Sequence, residues 1–507
     1  MTQAILLMLH LEINEQVIKL INYFQGQCDI IIHIDKDCVL TKDEISAIRK
    51  MPGVIDVSQK YHVNWAGFNI LKTEIYMLRK ALELSDFKYV HMLSGNDYPI
   101  KPLSYFLHYF NNTDREYIAC NHMPNPRIDD NTFARFQKYF FPDFFVVKND
   151  GDVAKLWNIA NKLAKYGIKR KIPDQFPHLY DGSQWFSLSR KCIEGLLQYT
   201  SKHPSFYRHM RFCYAPEEIY INTYVMNFIP KEKIGCNNLR YIYWPFLNAQ
   251  HPKTLTENDF LDFAFTDAMF VRKIDMNTDA KLVEKIDLLL LKEEEPSFMN
   301  EGQRVLLTVW SNTADGGLLG AIVHLCKLLK IRSVIDLGCG TGYYVFKMRR
   351  EKILARGYDG NPNTQWISNS ICNSKFPCDT INLHSPIDAV EITDMTLLIN
   401  VGEYIPSEYQ SIVLDNVCKL SKKYVIISWI DQKQLDEMQK ECCSIHPIFE
   451  EDLKHIVNPV EEEALVRDLE RRGYYKDLLM TDFLRNNVYN PIHSNIICCK
   501  KMTINLR

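Results

Sequence analysis

Long apolar runs are missing from this 507-residue sequence: no stretch reaches the roughly 18 residues that a membrane-spanning helix needs. The opening MTQAILLMLHLEIN is apolar but short and lacks a basic leader, so neither a secretory signal nor an integral span is expected. Charge imbalance is also missing. Sixty Lys and Arg face 62 Asp and Glu, a formal net charge of −2. That leaves no global basic field for nucleic acid or an anionic membrane. The 15 cysteines are an odd count without a CxxC pair, which argues against a disulfide framework and a zinc site. The pairs Cys442/Cys443 and Cys498/Cys499 sit in apolar runs and read as buried thiols, the usage of a reducing compartment.

What is present is ordinary globular material: 46% hydrophobic and 12% aromatic residues in a chain too long for one core, so two or three domains are expected. Ala4–His10 and Asp29–Asp35 are β-rich, with Val17, Leu20, Ile21 and Phe24 at helical spacing between them. Strand, helix, strand on short links predicts a parallel pair with a right-handed crossover. Thr41 and Glu44 form a capping box, and Leu71, Ile75, Leu78 and Leu82 give an amphipathic helix. The stretch YVHMLSGNDYPIKP, residues 89–102, then reads as a strand that breaks at Gly95 and places Asp97 beyond its carboxyl end. Such strand ends are where open α/β sheets hold ligands. Asp35 stands at another strand end, suited to a base or ribose. The triplet Asp35-Lys36-Asp37 spells a metal-binding DxD, but its plainer reading leaves Asp37 a solvated acid.

Further along, DGSQWF (181–186) sets Gly182 and Ser183 beside Trp185, small residues and a large aromatic that suit a sugar ring. In YAPEEIY (214–220) two acids follow a proline at a helix start. They either complement the helix N-terminus or supply a general base. LRYIYW (239–244), HPKTLT (251–256) and MFVRKID (269–275) add cations that could neutralise a diphosphate or simply be solvated.

HIDKDC, VNWAGFNILKTEIYMLRKAL, YVHMLSGNDYPIKP, LYDGSQWFSLSR, CYAPEEIYINT, LRYIYW, HPKTLT and MFVRKID run in one order over residues 4–276. In that order the chain resembles the core-2/I-branching β-1,6-N-acetylglucosaminyltransferases and peptide O-xylosyltransferases of glycosyltransferase family 14. The resemblance implies a GT-A fold, a UDP-sugar co-substrate, a glycan or other hydroxyl acceptor, and inverting transfer of N-acetylglucosamine or xylose. It implies Glu218 as base, Lys253 and Lys273 on the diphosphate with no metal, and Asp35 near uracil. Asp97 falls where a metal ligand usually stands, bonding donor-sugar hydroxyls or orienting the cations. Trp244 falls on the acceptor sugar, and Gly182 and Ser183 on the donor floor. Lys253 replaces the arginine of the branching enzymes, and the 253–273 segment is shorter than theirs.

Residues 284–296, EKIDLLLLKEEEP, read as a linker helix with an acidic tail. Beyond it SVIDLGCGTG (333–342) is an apolar strand running into a glycine turn, and Asp359 ends the next predicted strand. This D-x-G-x-G-T-G pattern resembles class I S-adenosylmethionine-dependent methyltransferases. The resemblance implies that Asp336, Gly338, Gly340, Gly342 and Asp359 hold that cofactor. Glu403, in LLINVGEYIP, is a candidate for the methyl-transfer mouth or a cap on the next helix. No base is assigned there.

The expectation is therefore α/β throughout: a GT-A domain over 1–276, a helical linker over 277–312 and a Rossmann-like class I methyltransferase domain over 313–507. Such an enzyme would glycosylate and methylate, in the cytoplasm, with peripheral membrane contact only through a lipid-linked acceptor. A nucleotide- or glycan-binding scaffold without turnover, and a chain active only as a small-molecule methyltransferase, stay open as alternatives.

Overall fold

The computed structural model describes residues 2–502 apart from 11–12, 124–130, 145–146, 148–149, 236, 246–250, 265, 267, 291–314, 341, 361–377, 389, 438–455 and 489–492. Its contacts divide the chain into two units: 1–263 with 268–293, and 264–267 with 294–507.

The first unit is built on β1 (Thr2–Leu9), β2 (Cys28–Ile34), β3 (Val54–Ser58), β4 (Phe87–Ser94), β6 (Tyr117–His122) and β7 (Tyr180–Ser189), in the order β3-β2-β1-β4-β7-β6. β3, β2, β1 and β4 run parallel, while β7 is antiparallel to both β4 and β6. A small sheet pairs β5 (Tyr98–Pro99) and β8 (Arg240–Ile242) with β9 (Phe270–Arg272). Ala4–Leu9 are buried without alternation, as a strand covered on both faces requires. Helix Glu15–Tyr23 starts on Asn14, whose side chain accepts from Val17 N, and helix Lys42–Arg49 carries both halves of the Thr41/Glu44 capping box. Leu71, Ile75 and Leu78 of helix Phe68–Leu84 are buried in the core formed with β1 and β4. This is the GT-A arrangement: a parallel half whose strand carboxyl ends open on one edge.

One boundary differs from the expectation. Helix Ala280–Leu290 belongs to the first unit instead of a linker beginning at 277. Leu282, Val283 and Ile286 are buried, Tyr98 Oη donates to Asp287 Oδ1 at 2.6 Å, and Lys19 Nζ donates to Asp287 Oδ2 at 2.6 Å. Its amphipathic face therefore has a partner within the first unit. The rest of the expected linker, 291–312, lies outside the described residues.

The second unit is a seven-stranded sheet of β10 (Ser333–Leu337), β11 (Leu354–Asp359), β12 (Cys378–Thr380), β13 (Thr393–Ile399), β14 (Ser421–Ser428), β15 (Tyr474–Lys476) and β16 (Ile497–Lys501). The order is β12-β11-β10-β13-β14-β16-β15, parallel through β14, with β16 antiparallel to it. Val334, Leu397, Ile426 and Cys498 face one core, and Ile335, Leu398, Ile427 and Cys499 the other. Neighbouring residues thus fill opposite faces, and the two cysteines are buried for the same reason. Cys442 and Cys443 lie outside the described residues. The doubly wound sheet is Rossmann-like, as expected, with its switch point between β10 and β13. Among the described residues no helix is long and apolar enough to cross a membrane.

Candidate functional site

In the first unit the carboxyl ends of β1, β2 and β4 bring His10, Asp35 and Asp97 to one edge, and β9 delivers Arg272 and Lys273 to the same place. Arg272 Nη1 reaches Asp97 Oδ1 at 3.1 Å and Oδ2 at 3.0 Å. Asp97 is fully buried, and its Oδ2 also accepts from Ser94 N and Ser94 Oγ. The Arg272 guanidinium lies 3.9 Å from the centroid of the Trp185 ring. Asp97 thus holds Arg272, the residue before Lys273, and has no exposed oxygen; neither Lys253 nor Lys273 bonds to it among the described residues.

Lys273 has no carboxylate partner among the described residues. Burial pulls its ammonium below the usual lysine range, and the charge of Arg272 adds to that. His10 is held below its ordinary value by burial first, then by Lys273 and Arg272, with Asp35 opposing. This histidine was not singled out from the sequence; its only signal was its position one residue past a buried strand. Leu255 N donates to Lys273 O at 2.9 Å, which draws the Lys253 segment alongside. Lys253 itself pairs with Asp259 at 2.6 Å.

Asp35 is nearly buried, and its two oxygens accept from Asp37 N at 2.9 Å and Val63 N at 3.0 Å. Asp37 is exposed but bonded to His62 Nδ1 at 2.7 Å, which makes it less isolated than the solvated acid expected. Asp35, Asp37 and His62 offer ligand atoms within 4.8 Å of one another. Both Asp35 oxygens are already engaged by backbone.

Glu218 opens helix Glu217–Phe228 and is half-buried. Its Oε2 accepts from Arg135 Nη2 at 2.7 Å. Arg135 also stands 3.8 Å from Asp181 and donates to the carbonyls of Tyr214 and Ala215. Glu217 acts on the same guanidinium, and Glu74 stands near Glu218 and Glu217. Burial drives Glu217 well above its ordinary value, with Glu218 and Glu74 adding to the rise. Burial carries Glu74 up to about 8, against Gln184 and reinforced by Glu218. Asp181 is pushed up to about 6 by burial, opposed by Arg135. Arg135 was missed in the sequence because it falls outside the recognised motifs.

Gly182 has a packing reason for being glycine: a Cβ there would stand 1.8 Å from the Ala119 carbonyl oxygen on β6. Ser183 Oγ accepts from Trp185 N and Asn238 Nδ2, tying β7 to the turn before β8. The expected sugar floor is thus also a structural joint. Trp244 is 51% exposed.

In the second unit Gly338, Gly340 and Gly342 all have positive φ (76°, 53° and 77°), so the loop after β10 needs glycine at each. Gly340 N donates to Asp359 Oδ2 at 2.9 Å, and Gly338 N to Tyr358 O at 2.7 Å. Asp336 is buried and pushed up to about 7, first by burial and then by Asp359. An acid short of positive charge beside a glycine loop fits the cationic ammonium of S-adenosylmethionine. Glu403 is fully buried and raised to about 8 by burial, with the Asn400 side chain opposing. Its oxygens meet no partner at full hydrogen-bond geometry among the described residues. The expected position at an open mouth gives way to one behind Asn400.

The Core-2/I-Branching enzyme family model matches residues 11–265. The β-glucuronosyltransferase GlcAT14B of Arabidopsis thaliana is 26% identical over 226 residues, which covers 44% of this chain and 48% of the relative. GlcAT14A of the same plant is 27% identical over 237 residues, covering 44% and 46%. The chain spans about half the length of the curated relatives it matches. Among solved structures, the magnesium protoporphyrin IX methyltransferase of Synechocystis PCC 6803 shares 13% identity at a TM-score of 0.27, over 36% of this chain and 81% of that one. The sugar N-methyltransferase KedS8 of Streptoalloteichus shares 10% at 0.29, over 37% and 88%. With half of its residues matched and the GT-A sheet in place, this chain belongs to the Core-2/I-Branching enzyme family.

Proposed function

We propose that the first unit transfers a sugar from a UDP-sugar to a hydroxyl acceptor with inversion, and that the second binds S-adenosylmethionine and methylates the product glycan or a related acceptor. The observation that carries the first half is Lys273: a half-buried cation without a carboxylate partner among the described residues, at the strand edge where a diphosphate would lie. Neutralising the departing diphosphate is worth a few kcal/mol per fixed cation in a water-poor cleft. Lys253 joins it on exchanging Asp259 for phosphate. Glu218 takes the acceptor proton, and Arg135 holds its carboxylate in place. Trp244 offers the acceptor sugar a stacking face.

The donor is N-acetylglucosamine, xylose or, following the names of the Arabidopsis relatives, glucuronic acid. S-adenosylmethionine, when bound, supplies an electrophilic methyl group. Asp336 pairs with its ammonium, Asp359 accepts from its ribose, and the glycine loop leaves room for it.

The test is hydrolysis of these three UDP-sugars with EDTA present, with the released sugar identified. Glu218→Gln is expected to lower turnover at least a hundredfold while UDP still binds; full activity in that variant overturns the base assignment. A scaffold reading draws on the pairs Arg135–Glu218 and Lys253–Asp259, which occupy two of the three proposed catalytic groups. Retained UDP binding with no hydrolysis in the unsubstituted protein selects the scaffold. Separate shifts in melting temperature with UDP and with S-adenosylmethionine report each unit's ligand.

A further inference from the structure

The second unit has no assigned proton acceptor, yet a histidine is held at its switch point. Asn400 ends β13 in left-handed backbone, φ 52°. Its N–H donates to Ser428 Oγ at 2.9 Å, and the Ser428 hydroxyl donates back to Asn400 Oδ1. The same amide oxygen contacts His493 Nδ1 at 2.5 Å. An amide oxygen only accepts, so Nδ1 carries the proton and Nε2 keeps its lone pair. Nε2 makes no hydrogen bond to any described residue.

The surroundings suit a group that cycles a proton. His493 is 8% exposed. Burial holds its ring down to about 4, so it is neutral at physiological pH, and Asp315 opposes that shift. Asp315 caps helix Gly316–Leu328 and is 4% exposed, and Tyr344 Oη donates to its carbonyl at 3.2 Å. The other titratable groups on packed elements are Glu403, behind Asn400, and Asp431, bonded to Asn495. Asn400 neighbours Val401, whose methyl groups stand where a Gly338 side chain would go, so the histidine network adjoins the glycine loop.

We propose that His493 is the proton acceptor of methyl transfer in the second unit, with Asn400 as the positioning residue that fixes its tautomer. The acceptor oxygen bonds to the methyl carbon, the carbon–sulfur bond breaks with its electrons left on sulfur, and the hydroxyl proton passes to Nε2. The positive charge moves from sulfur to an imidazolium that Asp315 stabilises. This rests on the reading of the second unit as an S-adenosylmethionine-binding domain.

The experiment uses the full chain with 15N-labelled histidine. His493 is assigned by its loss in His493→Gln and titrated from about pH 2.5 to 8, so that a midpoint near or below 4 falls inside the range, with S-adenosylmethionine or S-adenosylhomocysteine bound. The expected result is an Nδ1–H tautomer whose midpoint is lower by roughly half a pH unit or more with S-adenosylmethionine, because only that nucleoside carries the sulfonium charge. Equal midpoints, or an Nε2–H tautomer, overturn the assignment. Calorimetry of both nucleosides separates the two levels of inference. Failure of either to bind sinks the reading of the second unit, and the assignment with it. Binding without a midpoint difference sinks His493 alone.

Discussion

Glu74 is a carboxyl placed where charge is expensive. It is fully buried, raised to about 8 by burial, and stands near Glu218. The folded state therefore keeps its proton well above the ordinary glutamate range. Between about pH 4.5 and 8 unfolding releases that proton, so the group makes the protein less stable as pH rises, by at most about 1.4 kcal/mol per pH unit. Glu74→Gln is expected to flatten this slope and to raise the denaturation midpoint at pH 8 more than at pH 5. Chemical denaturation across that range measures it, and an unchanged slope contradicts the protonated state. In the sequence Glu74 was invisible as an acid of interest, because helix periodicity around Leu71 and Ile75 accounts for its neighbours. Glu218 was legible through the order of motifs. Arg135, which holds it, was not, since an isolated arginine carries no spacing signal.

Strands, helices and caps were legible where one physical rule decided them. The buried run Ala4–Leu9, the capping box at Thr41 and the glycine turn after Leu337 all appear where the sequence placed them. Helix Ala280–Leu290 was legible as a helix but not as part of the first unit, because its anchor Asp287 answers Tyr98 and Lys19, both far away in sequence. Gly182 shows the same limit: it suited a sugar floor, but the close approach of β6 explains it without a ligand. Gly182→Ala is expected to cost about 1–3 kcal/mol, because the opposing atom is a backbone carbonyl that cannot rotate away. A stability loss with unchanged UDP affinity supports the joint; an unchanged denaturation midpoint contradicts it.

At the scale of the whole molecule, two nucleotide-type folds lie on one chain, each opening at the carboxyl ends of its parallel strands. The charge that would serve a diphosphate belongs to the framework: Arg272 fixed by Asp97, with Lys273 beside it. A bound metal ion can leave together with its nucleotide, whereas these cations remain when the product departs. On the function proposed above, escape of UDP would carry the whole cost of separating opposite charges, and the late part of the cycle would become the slow part. Added salt lowers that cost by screening. Turnover at saturating donor is thus expected to rise between low and moderate ionic strength while donor affinity falls, and inhibition by UDP to weaken in parallel. Steady-state rates at graded salt check this; a rate that falls with salt throughout places the slow step before release.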